Sequence, residues 1–183
     1  MGDEPWQPDT AREALILLRQ AHDAWTALLP RGLEPHRDDD AEQTARTMHQ
    51  HAASVLTWAR GLDDMACAPN GLLGYADTRS APGVELVDAA VYACNRAVHQ
   101  LIAVGQYSPG GTSFPKSFPV RFESEGVKWV KEDRLPPAAA DSGPTRSRRR
   151  AAYLRRWAGR PMADGLDDIR AFMDTEIGPA VGL

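Results

Sequence analysis

Four polar residues in the middle of the chain have the spacing needed to meet one ligand. They are separated by four, three and four positions, which places them on one face of a helix: Asp88, Tyr92, Asn95 and His99. An imidazole beside a carboxylate, a hydroxyl and an amide can perform general acid-base catalysis where it faces a cavity. The same row also fits the solvent-facing side of an amphipathic helix. On the catalytic interpretation, His99 transfers the proton and the other three position a substrate.

Arginines concentrate near the C-terminal end of the sequence. Seven lie between Arg146 and Arg160 with no acid among them: Arg146, Arg148, Arg149, Arg150, Arg155, Arg156 and Arg160. Guanidinium groups neutralise phosphates, and Tyr153 and Trp157, one helical turn apart, could add stacking surface. The candidate anion-binding residues are Arg148, Arg149, Arg155, Arg156 and Trp157. Two other interpretations remain open: a helix that leaves its arginines in water, or docking onto the protein's own acidic helices.

The charge distribution supports the unusual status of this segment. The net charge is −4, yet residues 1–105 contain 8 Arg against 15 acids, and residues 106–183 contain 13 Arg and Lys against 10 acids. If the arginines bind nucleic acid, reversing the charges of Arg149 and Arg156 should weaken binding with little effect on helical stability.

Other patterns give weaker indications of a site. His22, His49 and His51 lie on predicted helices, but His49 and His51 are about 200° apart, so they cannot readily share a metal ion. Ser108–Ser113 could form an anion-binding nest but lacks the lysine and spacing of a P-loop, and the acids at 38–40 and 42 are more typical of a helix start than of a cation site. We expect neither a metal nor a cofactor.

Composition indicates an ordinary globular protein. The 183 residues are about one domain, with 43% hydrophobic and 25% charged residues and no apolar run of the roughly 20 residues that cross a bilayer. The acidic N-terminus does not resemble a secretory signal, and Cys67 and Cys94 lack partners at metal-finger spacing. These features predict a single cytoplasmic domain over residues 1–183 without a membrane partner.

Periodicity predicts a mainly all-α fold. Residues 6–105 should form a bundle core of three long helices: one beginning with the capping box Thr10–Glu13 and ending before Pro30, one with near-heptad spacing from Ala41 to Leu62, and one over about 84–104. The third has the widest apolar arc and should lie most centrally.

The remaining sequence is more varied. Residues 106–135 are rich in turns and predict a small β-hairpin from 120–123 and 127–130, which must lie against the bundle or pair with another chain. Residues 136–145 resemble a linker, and residues 146–183 predict two shorter Arg-rich C-terminal helices, about 147–158 and 166–177.

Three functions are compatible with these patterns. The first is a noncatalytic binding or accessory protein that engages an anionic partner such as nucleic acid through the arginine-rich helix. The second is a small helical enzyme that uses His99 as its acid or base. The third is a protein-interaction module acting through the hairpin edge, and a homo-oligomer is compatible with all three.

Overall fold

A computed structural model describes residues 6–29, 38–78, 81–96, 105–108, 126–135, 137 and 143–183. Its helices are α1 (Pro8–Thr26), α2 (Asp38–Ala66), α3 (Tyr75–Thr78), α4 (Ala81–Cys94), α5 (Pro144–Arg156) and α6 (Met162–Glu176). Short 3-10 turns lie at Glu132–Arg134 and Gly178–Val181, and the strands are β1 (Gly105–Ser108) and β2 (Gly126–Trp129). The prediction of a mainly all-α fold is confirmed.

The start of α1 differs from the predicted capping box. The helix begins at Pro8, and the Thr10 hydroxyl donates to Oε1 of Gln7, 3.0 Å away, with no side-chain cap on the first-turn amides. Proline suits this position because its fixed φ matches the helix and it has no amide hydrogen to satisfy. The Trp6 amide also donates to the Asn70 carbonyl at 2.7 Å, which ties the entering chain to the loop after α2. The helix therefore starts two residues before the predicted position.

The periodic residues of α1, α2 and α4 form the core. The predicted stripe of α1 is buried at Leu15, Leu18 and Trp25, and that of α2 at Val55 and Leu62. Helix α4 is buried at every position from Leu86 to Cys94, in agreement with its predicted central place. Its start at Ala81 puts Pro82 in the first turn, where proline is tolerated, so the Pro-Gly pair does not delay the helix. The predicted continuation of this helix over 97–104 lies outside the described residues.

The two strands form an antiparallel ribbon rather than the tight hairpin predicted. Gly105 pairs with Trp129 and Ser108 with Gly126, so the partner of β2 lies about twenty residues before it in the sequence. The expected first strand, residues 120–123, is outside the described part of the chain. The ribbon does lie against the bundle, as expected: the Trp129 amide donates to the Arg160 carbonyl and the Gly159 amide donates to the Trp129 carbonyl.

Helix α6 closes the structure. Its buried side chains include Leu166, Ile169 and Met173, three of the four positions whose spacing predicted a C-terminal helix. The helix begins at Met162, four residues earlier than that spacing indicated, immediately after the turn that holds β2. None of the helices in the described ranges combines the length and apolar character needed to span a bilayer.

Candidate functional site

Helix α5 places its arginines in three different environments. Pro144 occupies the first turn, and the turn after the helix uses Gly159 at φ 74°, a left-handed conformation that favours glycine. Arg150 is buried together with Ala152, Tyr153 and Trp157, which form the inner face. Arg149 and Arg156 are half-buried. Three arginines of the helix are exposed, Arg146, Arg148 and Arg155, and so is Arg160 in the turn that follows it.

Two carboxylates of α4 bind the central arginines. Asp88 receives two hydrogen bonds from Arg148, from Nε to Oδ2 at 2.6 Å and from Nη2 to Oδ1 at 3.1 Å, and Nε of Arg149 lies 3.5 Å from Oδ1. Glu85, one turn earlier, receives Nε of Arg155 at 2.6 Å and Nε of Arg156 at 3.1 Å. These four arginines therefore dock onto carboxylates of the same protein, as one of the alternative interpretations predicts. The contact occupies one side of each arginine.

These contacts shift the pKa values of Glu85 and Arg148 toward their charged forms. Hydrogen bonding and proximity to Arg155 and Arg156 lower the pKa of Glu85, and the hydrogen bond and charge of Asp88 raise the pKa of Arg148. By formal charge, the four arginines supply four positive charges against the two negative charges of Glu85 and Asp88. The α4–α5 contact keeps an excess of two positive charges.

The pairs also correct the expectation for charge reversal. A glutamate at position 149 or 156 would place a like charge beside Asp88 or Glu85, where a guanidinium nitrogen now lies within 3.5 Å. Such a substitution would destabilise the packing of α5 as well as any binding surface. Arg149 and Arg156 are accordingly poor positions for a binding test.

Trp157 lies in the protein interior and does not offer a stacking surface. Its side chain is 2% exposed, and its ring stacks on Trp129 with centroids 4.5 Å apart and planes 14° apart. Tyr153 is also fully buried and donates its hydroxyl to the Val130 carbonyl at 2.9 Å, and burial raises the pKa of this phenol. Tyr153 and Trp157 therefore anchor the helix, and the charged side chains that α5 exposes are arginines.

The polar stripe of α4 faces neighbouring helices. Asp88 and Tyr92 are buried, so this part of the stripe is not the solvent-facing side of an amphipathic helix. The Tyr92 hydroxyl accepts a hydrogen bond from Nη1 of Arg150 at 3.2 Å, and Oδ1 of Asn95 accepts one from Nη1 of Arg60 at 2.8 Å. His99, the candidate acid or base, lies outside the described residues. The three described members of the stripe bind arginines of α5 and α2.

The histidines of the described residues do not converge on one point. His22 is buried between α1 and α6, where Nε2 lies 2.7 Å from Oδ1 of Asp167 and Nδ1 lies 2.8 Å from Nη1 of Arg170. A neutral ring that donates through Nε2 and accepts at Nδ1 satisfies both contacts. Within the described ranges, no group of three metal-ligating side chains comes together.

The half-buried His49 predicts a measurable pH effect on stability. Burial lowers the pKa of its imidazole, so the unfolded chain takes up the proton at a higher pH than the folded chain does. His49 therefore costs no stability above about pH 6.5 and destabilises the fold as the pH falls below that value. We expect the wild type to lose more of its Tm than His49→Gln when the buffer is changed from about pH 7.5 to about pH 5.5. Identical losses in the two proteins would contradict this effect.

A groove lies between the first turns of α4 and the exposed side of α5. It has a volume of about 380 Å³. Its apolar lining residues are Ala81, Pro82, Val84 and Ala152, and its charged lining residues are Glu85, Asp88, Arg148 and Arg155. Of the expected nest at 108–113, only Ser108 lies within the described residues, as the last residue of β1. Among the described residues, three of the candidate site residues meet at this concave surface: Asp88, Arg148 and Arg155.

Sequence reasoning missed Glu85, which holds two of the arginines. One signal was present: Glu85, Asp88, Tyr92 and Asn95 follow spacings of three, four and three, so Glu85 belongs to the same stripe.

Comparison with known proteins adds no functional assignment, because no family model matches the chain and no curated protein or solved structure shows significant similarity to it.

Proposed function

We propose that this protein is a noncatalytic binding protein that engages nucleic acid through the exposed arginines of α5. The observation that carries the proposal is an excess of positive charge that the carboxylates of the described residues around α5 do not neutralise. The described residues from 126 to 160 include ten Lys and Arg but only two acids, Glu132 and Asp133. Glu85 and Asp88 supply two more carboxylates from α4. Phosphate groups of a nucleic acid would balance the rest.

The way α5 is held favours binding through these arginines. Trp157 and Tyr153 are buried, and the Arg150 side chain is bonded to Tyr92, so the helix has a fixed position on the bundle. A fixed helix loses little conformational entropy when its exposed side chains meet a partner. The Arg148 and Arg155 side chains remain 60% and 62% exposed despite their carboxylate partners.

The same features indicate the mode of binding. Because the aromatic rings of α5 are buried, base stacking on Tyr153 or Trp157 does not contribute. Contacts between guanidinium groups and phosphates carry no sequence information, so binding is largely independent of sequence. Helix α6 has five acids against one arginine, which repels the strand from that side and confines it to the α5 side. A nucleic-acid partner also accords with a cytoplasmic location.

The other two hypotheses receive less support. An enzyme that uses the α4 stripe needs Asp88 and Tyr92 to hold a substrate, but both side chains are buried and bonded to arginines. An interaction module acting through the ribbon needs an open edge, and the edge of β2 is already bonded to Gly159 and Arg160.

The test is the salt dependence of binding to a fluorescently labelled DNA single strand. We expect the slope of log affinity against log salt to be strongly negative in the wild type. Replacing the four exposed arginines Arg146, Arg148, Arg155 and Arg160 by Gln should weaken binding at least tenfold and reduce the slope by roughly 3, since each phosphate contact contributes about 0.7.

A control variant with half of that charge loss removes positive charge elsewhere. The double variant Arg12→Gln plus Arg46→Gln changes two exposed arginines of α1 and α2 and should leave the slope within about 0.5 of the wild-type value. Salt-insensitive binding, or an equal loss in both variants, would overturn the proposal. Circular dichroism of each variant verifies that the helices are retained.

A further inference from the structure

The groove between α4 and α5 has the chemistry of a binding site for one phosphate group. Arg148 and Arg155 are seven residues apart on α5, which places them on the same side about 10.5 Å apart along the axis. Ala152, one turn after Arg148, is buried and lines the groove between the two arginines with a small apolar side chain. Two long arginine side chains can converge across such a gap on one anion.

The carboxylates hold the guanidinium groups by one edge and leave the other edge available. Arg155 uses only its Nε, on Oε1 of Glu85, among the described residues. Arg148 uses Nε and Nη2 on the two oxygens of Asp88, which leaves Nη1 and the second hydrogen of Nη2. The planar guanidinium fork matches the geometry of phosphate oxygens, so these remaining N–H groups suit a phosphate placed in the groove.

The charge around the groove fits a doubly charged ligand. The groove is lined by two positive and two negative side chains, Arg148, Arg155, Glu85 and Asp88. Arg149 and Arg156, which bind the same carboxylates without lining the groove, add two positive charges. This excess of two positive charges is the amount that one phosphate monoester dianion balances. Asp88 is only 8% exposed and both of its oxygens already accept hydrogen bonds from Arg148, so its charge is paired within the protein.

We infer that this groove binds a phosphate monoester, such as the 5′-phosphate end of a nucleic-acid strand, with Arg148 and Arg155 as its direct ligands. This inference rests on the proposed function and deepens it, because it assigns one chemical group of the partner to one place on α5. A strand that carries a terminal phosphate then binds more tightly than the same strand ending in a hydroxyl.

The experiment compares three probes at one ionic strength: inorganic phosphate, a 5′-phosphorylated DNA 12-mer and the same 12-mer with a 5′-hydroxyl. We expect the phosphorylated strand to bind roughly tenfold more tightly than the hydroxyl strand, from one additional charge-assisted contact. In NMR spectra, inorganic phosphate should shift the guanidinium Nη–H signals of Arg148 and Arg155, and the same concentration of chloride should not.

Two variants with equal loss of charge test the location. Arg148→Gln plus Arg155→Gln should abolish the preference for the 5′-phosphate. Arg146→Gln plus Arg160→Gln alters exposed arginines that do not line the groove, so it should weaken the binding of both strands alike and preserve the preference. Because Arg148→Gln also removes the main partner of Asp88, the single variant Arg155→Gln provides a second test that leaves that pair intact, and it should reduce the preference at least threefold.

The outcomes separate this inference from the proposed function. Salt-sensitive binding of both strands with no preference for the phosphorylated one would overturn the groove assignment and leave the nucleic-acid proposal standing. Binding of inorganic phosphate at Arg148 and Arg155 without binding of either strand would support the groove, show that its ligand is a small phosphate compound and overturn the proposed function. Equal effects of the two double variants on the preference would overturn the groove assignment.

Discussion

Replacing Gly165 by alanine should lower the free energy of unfolding by about 2 kcal/mol, because the added methyl group has no space. A Cβ at this buried position of α6 would lie 2.7 Å from Nε1 of Trp129 and 2.9 Å from Nε1 of Trp157. Neither ring can move easily, since the two rings stack on each other and both contact the buried Tyr153 edge to face. Within the described part of the chain, both indole N–H groups are buried without a hydrogen-bond partner.

The matched control is Gly61→Ala, in the interior of α2. A Cβ there would have no atom within 4 Å, so the alanine gains helix propensity without a clash and should stabilise the fold by about 0.5–1 kcal/mol. Urea unfolding of the two variants, followed by tryptophan fluorescence, measures the difference of about 3 kcal/mol. If Gly165→Ala were as stable as Gly61→Ala, the close packing of α6 on the stacked tryptophans would be wrong.

The bundle could be predicted from the sequence because its signals are repetitive. Leu15, Leu18 and Trp25 recur at helical spacing, and each is buried where the pattern places it. Apolar periodicity works because every turn of a core helix must bury a side chain, so many residues report the same face. The predicted start of α1 was wrong because that prediction depended on one local motif, the Thr10–Glu13 box, whereas the helix begins at Pro8.

The candidate site was less predictable because contacts distant in sequence determine it. The α4 stripe is compatible with a catalytic row, a solvent face or a helix interface, and the choice depends on what covers Asp88. The covering group is Arg148, which lies 60 residues further along the chain. Likewise, the outer or inner position of each arginine on α5 depends on its partner: Arg150 is buried because the Tyr92 hydroxyl accepts its hydrogen bond.

The ribbon shows the same limit. The alternating residues near 127–130 predicted β2, and that strand is present. Its partner could not be predicted by a preference for tight turns, because β1 pairs with it across a long intervening segment. Pairing between distant strands leaves little local signal, whereas two-residue turns leave a strong one.

Asp88→Ala should destabilise the protein by about 2–3 kcal/mol, whereas Glu85→Ala should cost less than about 1 kcal/mol. Both carboxylates bind two arginines, but the Asp88 side chain is 8% exposed and that of Glu85 is 30% exposed. Loss of Asp88 leaves a cavity and removes the partner of Arg149, whose buried Nε lacks a well-formed hydrogen bond even in the wild type. The cost falls below that of a fully buried pair because Arg148 is 60% exposed and can turn into water.

Urea unfolding gives both free energies, and a double-mutant cycle of Asp88→Ala with Arg148→Ala isolates the pair. A coupling energy of about 1–2 kcal/mol would show that the α4 carboxylate holds this arginine on the bundle, as the groove requires. A coupling near zero, with equal small losses for Asp88→Ala and Glu85→Ala, would mean that α5 is held by its aromatic residues alone. In that case the carboxylates would not fix the guanidinium groups. Nothing would then hold Arg148 and Arg155 in the orientation that the inferred phosphate site requires.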